Sequence, residues 1–197
     1  MNWKTWKNYL VPEVIETLKS AISGQINVVR FQNKIAVWVD GFEQSGPLVE
    51  KLWKKALEEI TYNANGRALI FGLGCGSVVK VLPSMKVTGV EIDPVMVDIG
   101  KRYFNLDRVK IVIGDATKLK FKERFDLIIV DLYIGGKMEN LLVPTNFLAK
   151  DGVIIYNQLT FGNNQVDLLS SLDKDPRLEI KKVRQTEYNK LIFCSKK

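Results

Sequence analysis

The stretch Leu69-Ile70-Phe71-Gly72-Leu73-Gly74-Cys75-Gly76-Ser77 decides the reading of this chain. Ala68–Phe71 is a short, uninterrupted apolar run that stops at closely spaced glycines. Apolar residues at consecutive positions suit a strand buried on both faces, the condition of a parallel sheet. Glycines directly after such a strand let a ligand approach the backbone closely. A helix beginning after them would present its N-terminus to an anion. Alone, the same residues serve equally well as a tight strand-to-helix turn.

The residues that follow narrow the choice. Lys86–Val90 reads as the next strand and ends in Glu91-Ile92-Asp93-Pro94. Glu91 lies roughly 20 residues after the glycines, the spacing at which an acid accepts the hydroxyls of a ribose. Asp93 suits the cap of the helix that Pro94 opens and that runs to Phe104. Val109–Ile113 is a third strand closed by Gly114-Asp115-Ala116, where an acid is placed to accept from an adenine amino group. Phe125–Val130 is a fourth strand, closed by Asp131-Leu132-Tyr133. Gly152–Tyr156 is a fifth, Asn164–Leu172 a helix, and Leu178–Val183 with Lys190–Cys194 an antiparallel pair. The predicted architecture is α/β, with a mostly parallel sheet and a C-terminal antiparallel hairpin. Glycine or acid at the carboxyl ends of four neighbouring strands marks the edge where such sheets bind ligands, here an adenosine. Ser77 stands where a dinucleotide fingerprint has its third glycine, which leaves a nicotinamide dinucleotide open on spacing alone.

Upstream of the glycines, Pro47–Ile60 places Leu48, Leu52, Trp53, Ala56, Leu57 and Ile60 at helical spacing. Residues 1–43 read as a separate region. A short helix or two is expected first, with Pro12 in a first turn. A β hairpin follows, Gln25–Phe31 and Lys34–Val39, turning at Asn33 and closed by Asp40-Gly41. The expected division is 1–43 and 44–197. The hairpin carries more apolar residues than a lone ribbon can use, some of which can pack on Leu48 and Leu52, so the remainder, with Trp3 and Trp6, predict a twofold homodimer, the alternative being that residues 1–20 fold back and cover the patch within one chain.

Composition removes several chemistries. The 197 residues contain no histidine, which excludes a Ser-His-Asp triad, a Cys-His pair and His-ligated metal. Two distant cysteines make neither a disulfide scaffold nor a metal knuckle, so no metal is expected. The absence of a long apolar run or a leader-like start predicts a cytoplasmic protein without a membrane partner. The net charge of +7 comes from lysines spread along the chain, and nucleic acid is not the favoured partner.

Taken together, the residues resemble the S-adenosylmethionine-dependent methyltransferase fold, a Rossmann-like seven-stranded sheet. They resemble most its spermidine synthase branch, the polyamine aminopropyltransferases, over roughly residues 20–160. Ser20, Gly24, the hairpin and Val39-Asp40-Gly41-Phe42-Glu43-Gln44 are similar to that family's small β region. The resemblance implies cofactor binding by Gln44, Glu91, Ile92, Asp115 and Ala116, with Gly72, Gly74, Cys75 and Gly76 under the amino-acid part of the ligand. It also implies Asp131 as the acid after strand four, a homo-oligomer and an amine acceptor.

Three departures bear on the chemistry. Cys75 stands where the family carries an Asp that binds the amine of decarboxylated S-adenosylmethionine. Asp131-Leu132-Tyr133-Ile134 lacks the family's second acid, and Trp53 replaces a tyrosine. A diamine must lose a proton before it attacks, so losing two carboxylates weakens that reaction. Intact S-adenosylmethionine carries a carboxylate that a loop Asp would repel and that amides at a helix start would accept. The favoured reading is therefore methyl transfer to a small-molecule acceptor. Asp131 is the first candidate base and Tyr133 the second; Tyr156 is expected to be a core ring, and Asn157 and Gln158 to line the acceptor side. An aminopropyltransferase with an acid relocated to Asp40, Glu43 or Glu139 is the alternative, and a silent nucleoside-binding or dimerisation module another.

Overall fold

The computed structural model describes residues 11–134, 137–138, 143–160 and 167–197. The chain forms two compact units. The first takes the chain up to Glu59 together with Gly74–Val81 and Asp93–Arg108. The second takes Ile60–Leu73, Leu82–Ile92 and Val109–Lys197.

The first unit is built on an antiparallel sheet of β1 (Glu13–Ser20), β2 (Gly24–Phe31), β3 (Lys34–Val39) and β4 (Phe42–Ser45), in that order. Gln32 and Asn33 both have positive φ, as do Asp40 and Gly41. Each pair makes the two-residue turn whose twist matches the flanking strands. The expected hairpin is thus the centre of a four-stranded sheet. Residues 1–10 of the expected helical start lie outside the described residues, and β1 follows directly on Pro12, where the first turn of a helix is expected. Its Val14, Ile15 and Thr17 are β-branched, and it pairs with β2 from Glu13↔Arg30 to Ser20↔Gly24. Trp3 and Trp6 lie outside the described residues.

Among the described residues this unit also holds the helices α1 (Pro47–Leu57) and α2 (Pro94–Tyr103). Ile26, Val28, Val37 and Val39 of the sheet share a buried cluster with Cys75 and with Met96 and Ile99 of α2. The cover is α2, and not Leu48 of α1, which is 67% exposed. A short 3-10 helix, Ser77–Val81, follows the glycines in place of an α-helix.

The second unit holds a seven-stranded sheet. Its strands are β5 (Arg67–Phe71), β6 (Lys86–Glu91), β7 (Lys110–Ile113), β8 (Phe125–Val130), β11 (Leu148–Leu159), β12 (Leu178–Gln185) and β13 (Asn189–Lys196). Between β8 and β11 lie the two-residue strands β9 (Tyr133–Ile134) and β10 (Lys137–Met138), paired with each other. The sheet order is β12-β13-β11-β8-β5-β6-β7. β7, β6, β5, β8 and β11 pair in parallel, and β13 runs antiparallel to both its neighbours. The last strand is therefore inside the sheet. Leu191–Cys194 is buried without a break, whereas β12 exposes Glu179, Lys181 and Lys182 and makes a charged edge. Leu69, Phe71, Ile128, Val130, Ile154 and Ile192 share one buried cluster with Phe125 and Phe147. Phe121 meets the rings of Phe125 and Phe147 edge-on, at 5.7 and 5.5 Å. The helix α3 covers Leu168–Asp173; residues 164–166 of the expected span lie outside the described residues. Among the described residues no helix is long and apolar enough to cross a membrane.

Candidate functional site

The carboxyl ends of β8, β5, β6 and β7, adjacent in the sheet, bring Asp131, Gly72, Glu91 and Asp115 to one edge of the second unit. Parallel strands in register make this automatic: each strand ends at the same edge, so the residue after each one becomes a neighbour of the next.

Gly72 has φ +80°, and a Cβ there would sit 2.0 Å from the Asp131 carbonyl oxygen. The Asp131 N–H donates to the Phe71 carbonyl at 2.8 Å. Glycine is thus required where β5 and β8 end together, and part of the glycine signal in the sequence is this close approach. Glu91 is 8% exposed, and its Oε1 accepts from the Ile92 N–H at 2.9 Å. Ile92 beside it is half-buried. The Gly114 N–H donates to the Glu91 carbonyl at 2.9 Å, which ties the ends of β6 and β7. No atom lies within 4 Å of a Cβ built on Gly114, so the space beside it is open.

Asp115 accepts from the N–H and hydroxyl of Thr117, at 2.9 and 2.6 Å, and pairs with Lys118 at 3.0 Å. The Thr117 bonds and Lys118 hold its carboxyl down at about 2. It is therefore ionised at neutral pH, with Ala116 buried next to it.

On the acceptor side, Asp131 Oδ1 accepts from Asn157 Nδ2 at 2.8 Å. The Tyr133 hydroxyl donates to the Asn157 carbonyl at 2.5 Å, and burial together with Asp131 pushes its pKa far up. Both effects favour the protonated phenol, which is the form that donates to Asn157. Tyr156 is fully buried, with its hydroxyl accepting from the Val143 N–H at 3.2 Å, as expected for a core ring. Gln158 is also buried. Sequence reasoning missed Asn189, whose Nδ2 donates to Asn157 Oδ1 at 3.0 Å; only the register of β13 against β11 shows it.

The first unit holds the remaining candidates. Gln44 is exposed on β4. A Cβ on Gly74 would lie 3.2 Å from Ser45 Oγ, and one on Gly76 would lie 2.2 Å from Leu106. Cys75 is fully buried, its thiol 3.5 Å from the Met96 sulfur, and its N–H donates to Ser45 Oγ at 3.0 Å. Cys75 is a core residue whose amide is already engaged. With no α-helix after it, the expected capture of a carboxylate by amides at a helix start is corrected. Ser45 and Ser77 were missed as well: Ser77 Oγ accepts from the Gly46 N–H at 2.6 Å. Asp93 caps α2 as expected, and Trp53 is core. Glu43 accepts from the Leu48 and Val49 N–H groups at 2.7 and 3.3 Å, which commits it to the start of α1 and not to catalysis. Glu139 lies outside the described residues. Among the described residues no cluster of acids and cysteines is arranged to hold a metal.

Residues 68–142 match the methyltransferase domain family. The chain is 29% identical over 148 residues to an eEF1A lysine and N-terminal methyltransferase homolog of Drosophila pseudoobscura pseudoobscura, covering 66% of this chain and 21% of that protein. It is 28% identical over 152 residues to a polyamine aminopropyltransferase of Sulfurisphaera tokodaii, covering 67% of this chain and 51% of that one. The chain thus spans about half or less of the length of these curated relatives. A probable spermidine synthase from Corynebacterium glutamicum superposes with a TM-score of 0.65 over 93% of this chain and 80% of that one, at 16% identity. With its sheet order and its N-terminal antiparallel sheet, this chain carries the α/β Rossmann-like methyltransferase fold, and residues 68–142 are similar to the methyltransferase domain family.

Proposed function

We propose that this protein is an S-adenosylmethionine-dependent methyltransferase acting on a small-molecule acceptor, an amine by the likeness to the aminopropyltransferases. The observation that carries the reading is the row Asp131, Gly72, Glu91 and Asp115 across four adjacent strand ends. The residues fit a nucleoside. Glu91 is a nearly buried carboxylate whose orientation the Ile92 N–H fixes. Ile92 and Ala116 supply apolar surface, and the open space beside Gly114 leaves room for a ring. In this reading Glu91 accepts from the ribose hydroxyls, and ionised Asp115 accepts from the adenine amino group.

When bound, S-adenosylmethionine supplies a methyl group already activated by its sulfonium. The chain's own part is to align the acceptor, which accounts for much of the rate in such transfers. Asp131 is the group placed to hold or take the acceptor's proton, and Asn157 sets its orientation.

Aminopropyl transfer is the second reading, favoured by the Sulfurisphaera tokodaii relative. Charge separates the two. The stretch Gly72–Ser77 contains no carboxylate to attract the amine of the decarboxylated ligand or to repel the carboxylate of the intact one. Calorimetry with the two ligands should show tighter binding of S-adenosylmethionine. A reversed order would replace methyl by aminopropyl transfer, and no heat with either would end both readings.

We also infer that the protein is a twofold homodimer through the face of its N-terminal sheet on which Val14 and Phe31 are exposed.

A further inference from the structure

Three strand ends of the second unit are joined by side-chain amides. Asn189 begins β13, and its Nδ2 donates to Asn157 Oδ1 at 3.0 Å. Asn157, 4% exposed on β11, in turn donates from Nδ2 to Asp131 Oδ1 at 2.8 Å. An asparagine amide has an accepting end and a donating end, related by a half-turn about its last torsion. A donor from Asn189 occupies the accepting end, so the donating end of Asn157 must face Asp131.

Asn189 is itself held. Its N–H donates to Thr186 Oγ1 at 3.0 Å, and its carbonyl accepts from the Thr186 N–H and hydroxyl at 2.7 and 3.0 Å. The same turn is tied to the end of β11. The Thr160 N–H donates to the Tyr188 carbonyl at 3.0 Å, and the Thr160 hydroxyl donates to the Glu187 carbonyl at 2.8 Å.

We propose that Asn189, at the tip of the C-terminal hairpin, is a positioning residue for Asp131. Acting through Asn157, it keeps an N–H donor on that carboxylate, which favours the ionised form and fixes its rotamer. Without Asn189, the Asn157 amide can turn over and set its oxygen against Asp131, which disfavours the charge. The role of the hairpin is then to orient the acceptor-side acid from outside the βα units. This rests on Asp131 being that acid.

The groups around Asp131 limit the test. Among the described residues β5 meets it with the Phe71 backbone, β9 brings Tyr133, and β11 brings the neutral Asn157. Glu187 and Lys190 are the charged residues flanking Asn189, and they stay unchanged in every variant, so their influence cancels in the comparison.

The experiment follows the Asp131 carboxyl carbon by NMR in the full chain with labelled aspartate, assigned by its loss in Asp131→Asn. Asn189→Asp keeps the shape and replaces the donor by an acceptor. It should raise the Asp131 pKa by roughly 1 unit, and Asn189→Ala should raise it less. In an Asn157→Ala background the shift from Asn189→Asp should fall below half. An unchanged Asp131 titration in both single variants would overturn the proposal, and so would a shift of full size without Asn157, which would mean charge acting directly through space. S-adenosylmethionine binding and S-adenosylhomocysteine release, measured on the same samples, judge the proposed reaction separately. A parent that binds no S-adenosylmethionine refutes methyl transfer and leaves the carbon titration to decide the role of Asn189.

Discussion

Glu91 is a carboxylate that stays nearly buried at a strand end, and a buried charge is costly unless it is used. Its bond from the Ile92 N–H accounts for its orientation, and the proposed ribose hydroxyls account for its chemistry. Glu91→Ala should weaken binding of 5′-methylthioadenosine by about 1.5–3 kcal/mol, the range for hydrogen bonds to a charged group. Calorimetry checks this, and unchanged affinity would remove the nucleoside from this edge. Glu91, Asp115 and Asp131 were legible in the sequence because each follows an apolar run directly, and a strand end is a predictable place. Cys75 was not. Its position in the glycine stretch pointed to the ligand, but its side chain lies against Met96 and Ile99 in the core. Cys75→Asp would bury a carboxylate there, so that variant reads stability and not ligand choice.

At the scale of elements, Asp93 joins α2 to the N-terminal sheet within the first unit. Its Oδ1 accepts from the Val95 N–H at 2.9 Å, and its Oδ2 from the Ser20 and Ser23 hydroxyls, each at 2.6 Å. A helix cap alone contributes about 1 kcal/mol, and buried bonds to a charged group add about 1.5–3 kcal/mol. Asp93→Ala should therefore cost about 2–4 kcal/mol, seen as a lower urea midpoint with an unchanged slope. A change within about 0.5 kcal/mol would mean that sheet and helix do not depend on this carboxylate. The cap was readable from Asp93-Pro94, whereas its link to Ser20 and Ser23 was not. That link required β1 to be a strand ending at Ser20, and Glu13–Ser20 mixes β-branched and charged residues without a clean period. Pairing with β2 decided it.

For the whole molecule, the open question is assembly. α2 covers one side of the N-terminal sheet, while Val14 and Phe31, on the other side by register, stay exposed at 56% and 37%. If these residues meet their twofold copies, light scattering at micromolar protein should give twice 22.4 kDa. A mass that stays at 22.4 kDa up to near-millimolar protein would make the chain a monomer.

The sequence by itself determined the α/β class, the parallel core, both tight turns of the N-terminal sheet and the row of acids at the strand ends. These depend on local facts: apolar runs of strand length, turn residues that tolerate positive φ, and acids at the ends of the runs. The tertiary structure decided what depends on pairing between distant segments. It placed β13 between β11 and β12, because an unbroken buried run cannot form an edge. It made Glu13–Ser20 a strand, put Cys75 in a core, and aligned Asn189, Asn157 and Asp131 across three strands. Each of these follows from register and burial, and a one-residue slip would turn every side chain of a strand to the other face.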